Sequence, residues 1–72
     1  MEKYKNINGD SGVDSYEIGN NFIRVKFKRK SKIYQYSYNK AGESNVENMK
    51  QKAIQGAGLN TYINRYVKNL YD

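Results

Sequence analysis

The chain has 72 residues, with 13 Lys+Arg against 7 Asp+Glu and a net charge of +6. It holds eight Tyr but no Cys, His, Trp or Pro. Those zeros exclude a disulfide framework, thiolate or histidine metal sites, and Ser-His-Asp or Cys-His catalysis.

In chain order, residues 1–12 are polar and read as a flexible tail, carrying Asn6, Asn8, Gly9, Asp10, Ser11 and Gly12. Residues 13–72 read as one domain. A first strand spans Val13 to Ile18, and Gly19-Asn20-Asn21 marks a turn, because Gly and Asn tolerate positive φ. Residues 22–28 give the clearest strand. Ile23, Val25 and Phe27 fall on one face, and Arg24, Lys26 and Lys28 on the other. Residues 32–38 form a third strand with Tyr34, Tyr36 and Tyr38 on one face.

Ser44 with Glu47 three residues on has capping-box spacing, so a helix is expected from Ser44. Val46, Met49, Ala53 and Ala57 mark its inner stripe, with Ile54 beside it, and Gly56 and Gly58 end it. A second helix is expected over residues 60–71. Its inner face is Leu59, Tyr62/Ile63, Tyr66/Val67 and Leu70, and its outer face holds Asn60, Asn64, Arg65, Lys68 and Asn69. Three strands followed by two helices give an α+β fold, a three-stranded antiparallel meander with both helices packed on one face. A chain this short buries only about 60% of its unfolded surface, so large aromatic side chains must supply much of the core.

The tyrosine row has two possible positions. It joins Ile23, Val25 and Phe27 inside, or it joins Arg24, Lys26 and Lys28 on the open face as a base-stacking platform. Loop parity decides, since a one-residue slip turns every side chain over. The turn lacks the Gly that three-residue loops prefer. A four-residue loop is therefore favoured, pairing Phe27 with Tyr34 and placing the row against the helices.

Charge is unevenly spread. No acidic residue lies between Ile18 and Gly42, and six of the thirteen basic residues fall within positions 24–32. Such a stripe is the electrostatic footprint of a polyanion site, although a plain solubilising surface has the same composition. The candidate nucleic-acid contacts are Arg24, Lys26, Lys28, Arg29, Lys30 and Lys32, with Arg65 and Lys68 as outer candidates.

Other chemistry is thinly signalled. Asn6, Asn8, Asp10 and Glu17 match four positions of an EF-hand loop, but Ser11 stands where Gly is needed. Gly56-Ala57-Gly58 could offer backbone N–H groups to an anion, yet it lacks the lysine and spacing of a P-loop. The carboxylates are scattered, so no catalytic pair is indicated and an enzyme is not expected. No catalytic, cofactor or metal residues are assigned. No apolar run is long enough to span a membrane, and no apolar signal core follows Met1, so a cytoplasmic setting is the default.

Several short motifs together resemble a known family. They are Val13 and Ser15 ahead of Ile18-Gly19, Ile23-x-Val25-x-Phe27, Tyr34-x-Tyr36, and Ile63-Asn64 followed by Val67 and Tyr71. From about Val13 to Tyr71 the chain resembles the KTSC domain. That family is named for the C-terminal region of some lysyl-tRNA synthetases and also occurs as free-standing small bacterial proteins. The Phe27-to-Tyr34 turn is one residue longer than the family's usual turn. The loop after the third strand lacks the family's Pro, and Gly-x-Gly-Leu-Asn lengthens the approach to the second helix. The resemblance implies an RNA-binding role. The competing class is a protein-interaction module, in which the Pro-free outer strand adds a partner strand or pairs with its own copy.

Overall fold

Alternation at period two drives the sheet. In the computed structural model, which describes residues 1–7, 9 and 12–72, four strands follow one another as an antiparallel meander. They are β1 (Glu2–Lys3), β2 (Val13–Ile18), β3 (Phe22–Phe27) and β4 (Ile33–Ser37). Helix α1 (Glu43–Gln55) and a short α2 (Leu59–Tyr62) follow, and α2 continues into a π-helical turn, Ile63–Val67. The fold is α+β, with one strand more than the three expected.

The additional strand lies in the segment expected to be a tail. Glu2 pairs with Tyr16 and Lys3 with Ser15. Tyr4 is buried in the core, its N–H donates to the Asp14 carbonyl, and its hydroxyl accepts from the Leu59 N–H. The Ile7 N–H donates to the Gly56 carbonyl. The segment thus crosses the end of α1, and the crossing explains Gly56. A Cβ there would sit 2.5 Å from Lys5 Cβ, on a backbone with φ of +79°. Gly56 also caps α1 in the left-handed conformation, as its position in the sequence suggests. Of the EF-hand candidates, Asn8 and Asp10 lie outside the described residues. Among the described residues no group of three or more acids gathers to hold a metal ion.

The tyrosine row faces the helices. Val25 pairs with Tyr34 and Ile23 with Tyr36, so the row shares the face of the apolar β3 residues. Tyr36 is fully buried, and Tyr34 and Tyr38 are half-buried against the core. Parity is even as expected, but the register differs by two residues from the expected Phe27–Tyr34 pairing. The last paired residues are Lys26 and Ile33, so the connection is longer than a four-residue loop. Phe27 is engaged elsewhere. It pairs with Val13, its carbonyl accepts from the Lys30 N–H, and the next residue, Lys28, donates to the Gly12 carbonyl.

Helix α1 lays Val46, Met49 and Ala53 on the sheet. Its start differs from the expected capping box. Gly42, at φ +95°, is the N-cap, no side chain caps the helix, and Ser44 lies inside the first turn. Glu47 is engaged by other partners. Its carboxylate accepts from the Lys50 ammonium at 2.8 Å and from the Tyr38 hydroxyl. Lys50 also donates to the Asn20 carbonyl at 3.0 Å. This network ties α1 to β4 and to the β2–β3 turn. The hydrogen bond from Tyr38 to Glu47 pushes the phenol up to about 12. The Lys50 and Tyr38 bonds hold the Glu47 carboxyl below its usual range.

The second helix is shorter than residues 60–71. Leu59, Ile63 and Val67 are buried, and Tyr71 is half-buried, an inner stripe at a spacing of four. Tyr66 and Leu70, expected on that inner face, are exposed. A π turn is rare in a helix and recurs at functional positions. Here it keeps the four-residue stripe inward while turning Tyr66 out.

Candidate functional site

The basic stripe does not form one surface. Arg24 and Lys26 lie on the outer face of the sheet, opposite the helices. Arg24 is already engaged there. Its Nε donates to Gln35 Oε1 at 2.8 Å, its Nη1 lies 3.5 Å from Glu17 Oε1, and its guanidinium stacks 4.6 Å from the Phe22 ring centre. Gln35 in turn donates to Asp72 Oδ2 at 2.7 Å, and the Ser37 hydroxyl donates to Asp72 Oδ1 at 2.7 Å. A relay of Glu17, Arg24, Gln35, Asp72 and Ser37 therefore crosses this part of the face. The hydrogen bonds from Ser37 and then Gln35 hold the Asp72 carboxyl below its usual range.

Lys28, Arg29, Lys30 and Lys32 are exposed on the β3–β4 connection, away from that relay. The first three rim a cleft of about 580 Å³ between the connection and the C-terminal helix. Aromatic side chains form its wall. Phe27 meets Tyr34 edge-on with ring centres 5.6 Å apart, and Tyr34 meets Tyr71 edge-on at 4.9 Å. Tyr36 closes the inner end, 6.4 Å from Tyr71. Burial, with Tyr34 and Tyr71 nearby, pushes the Tyr36 phenol up to about 12, so it stays neutral at ordinary pH.

The helix supplies the opposite wall through Asn60, Ile63, Asn64, Lys68 and Asn69. Among the described residues no carboxylate lines the cleft. Lys30 Nζ lies 5.5 Å from the Tyr34 ring centre and 3.4 Å from its hydroxyl. Lys32 Nζ lies 5.1 Å from the Tyr34 ring and 5.2 Å from that of Tyr71. These ammonium groups sit over π faces, and among the described residues no carboxylate pairs with them, so no described partner neutralises their charge in place. The result is an apolar aromatic wall, a cationic rim and several amide side chains able both to donate and to accept.

Three of the six predicted hairpin contacts, Lys28, Arg29 and Lys30, line this cleft, and Lys32 stacks at its edge. Arg24 and Lys26 do not join them. Lys68, an outer candidate, is on the cleft, whereas Arg65 faces a second groove. Asn60, Asn64, Asn69 and Tyr71 were not expected in a site. The asparagines repeat at nearly helical spacing on a polar face, which signals exposure but not that the hairpin lies opposite. Gly58 begins α2 at φ +82°, consistent with a helix boundary, but that helix has only four residues before the π turn and offers no anion site of its own. No family model matches the chain, and neither a curated protein nor a solved structure matches it.

Proposed function

We propose that this chain is a binding module rather than an enzyme, and that its ligand is single-stranded nucleic acid, RNA by preference. The observation that carries this is the cleft, where Phe27, Tyr34 and Tyr71 stand beside Lys28, Arg29, Lys30 and Lys68, with no carboxylate among the described residues of its lining. Unpaired bases gain about 1–3 kcal/mol each from aromatic contacts, and phosphates are attracted by the rim. A duplex keeps its bases stacked and offers nothing to the aromatic wall. The outer-face residues Arg24 and Lys26 are long-range electrostatic contributors in this reading, not contacts at the cleft.

The KTSC likeness and a cytoplasmic setting belong to the same proposal. Six of the thirteen residues that carry the likeness, Val13, Ile23, Val25, Tyr36, Ile63 and Val67, are core residues here, and Phe27, Tyr34 and Tyr71 pack against that core. They support a shared architecture more than a shared binding surface. The second reading, strand addition at β4, has less support. The edge of β4 is occupied at its middle, where the Asp72 N–H donates to the Gln35 carbonyl at 2.7 Å.

Titration of the protein with single-stranded RNA, transfer RNA and duplex at rising salt tests the proposal. Binding should favour the unpaired strand and weaken with a log–log slope of about −0.7 per phosphate contacted. Absence of binding to all three at low salt overturns it.

A further inference from the structure

On the other side of the α2–π helix lies a second groove, of about 520 Å³. Like the first, it has an aromatic surface, cationic groups and, among the described residues, no carboxylate in its lining. Tyr62 and Tyr66 form its aromatic part, with ring centres 4.7 Å apart. Tyr62 is held firmly. Its hydroxyl donates to Asn45 Oδ1 at 2.7 Å and accepts from Asn48 Nδ2 at 3.2 Å. Tyr66 is not held by the core, and 56% of its surface is exposed. Lys52 Nζ lies 5.6 Å from the Tyr62 ring centre, and Arg65 lines the same groove.

The packing of the domain does not require this arrangement. The inner stripe of the helix is complete without Tyr66, since Leu59, Ile63 and Val67 are already buried. The exposed Tyr66 ring leans at 44° against the hydrogen-bonded Tyr62 ring, which props it as a stacking face, and the two cations give it charge complementarity to phosphate. Asn64 and Arg65 are neighbours in sequence and line opposite grooves. The helix therefore forms a ridge with a basic and amide crest between two aromatic troughs.

Resting on the reading of the first cleft, we propose that the second groove is a further nucleotide subsite for the same strand. The strand crosses the helix at Asn64, Arg65 and Lys68, and places one base against Tyr34 and Tyr71 and a later one against Tyr66. A helix is about 10–12 Å across, so the two bases are separated by intervening nucleotides. The footprint is then at least about four nucleotides, within the range of other small single-strand binders.

The test compares single-stranded RNA of about three and about eight nucleotides, lengths chosen below and above that footprint. The wild-type protein should bind the longer oligomer more tightly. Tyr66→Ala, at an exposed position, should weaken the longer oligomer about tenfold, near the low end of one lost stack, and change the shorter one less than twofold. Tyr66→Phe should restore the longer oligomer, since the ring and not the hydroxyl does the stacking. Tyr66→Trp should show indole quenching by the longer oligomer and none by the shorter. If the longer oligomer binds no better than the shorter and is indifferent to Tyr66→Ala, the second subsite is overturned while the first cleft stands. If neither oligomer binds the wild-type protein, both readings fall together.

Discussion

The two ends of the β3–β4 hairpin carry similar charge in opposite circumstances. Toward β2, on the outer face of the sheet, Arg24 is met by Glu17, by Gln35 and through it by Asp72. At the connecting loop, Lys30 and Lys32 are met by tyrosine rings. Among the described residues no salt bridge reaches Lys28, Arg29, Lys30 or Lys32. A carboxylate partner spends a cation's charge locally, whereas an aromatic face orients the cation and leaves its charge available to an incoming anion. Charge counted along a sequence does not distinguish these circumstances, because the distinction rests on what folds beside each residue.

The largest expected effect tests the foundation of the comparison, that the tyrosine row is architecture at its centre and cleft wall at its end. Tyr36→Ala should destabilise the domain by about 3–5 kcal/mol, the usual cost of truncating a buried aromatic. Denaturant unfolding measures it. A loss below about 1 kcal/mol would mean that Tyr36 is not the buried centre described above.

Binding separates the two ends of the hairpin next. Replacing Lys28, Arg29 and Lys30 together with Gln should shrink the salt slope for single-stranded RNA by about 2, three lost contacts at about 0.7 each. Stability should stay within about 0.5 kcal/mol for each exposed position changed. Replacing Arg24 and Lys26 with Gln should leave the slope nearly unchanged. Equal losses from the two sets would erase the distinction between the two ends.

How much of this was legible depended on the range of the interactions concerned. The Val13–Ile18 strand has the same bounds in sequence and structure, because alternation with a Gly-Asn-Asn turn is local information. The orientation of the tyrosine row followed from parity, which survives a two-residue error in register. The two-residue strand β1 was not legible. It is held by its pairing with β2, and the residues that follow it bond the Asp14 carbonyl, the Gly56 carbonyl at the end of α1 and the Leu59 N–H, all distant in sequence. The capping-box spacing at Ser44 misled because Glu47 has stronger partners in Lys50 and Tyr38. In the cleft, the basic loop could be read but its opposite wall could not. Asn60, Asn64 and Asn69 become part of a site only when the helix docks beside the hairpin.

The smallest effect concerns Asp72, which joins the two regions. Its carboxylate ends the outer-face relay on Gln35 and Ser37, while the adjacent Tyr71 ring packs in the cleft against Tyr34. The Asp72 carboxyl is held below its usual range, first by the Ser37 hydrogen bond. A carboxyl depressed on folding contributes stability that is present above its unfolded value of about 3.9 and is lost as pH falls through the depressed folded value. Acidification below about pH 4 should therefore loosen Asp72 before the core melts. The ring proton shifts of Tyr71 and Tyr34 should move with it in an NMR titration. Asp72→Asn keeps the shape but removes the titrating group, so that acid step should disappear. If the Tyr71 shifts move identically in the variant, Asp72 does not couple the outer face to the cleft, and the two regions are independent.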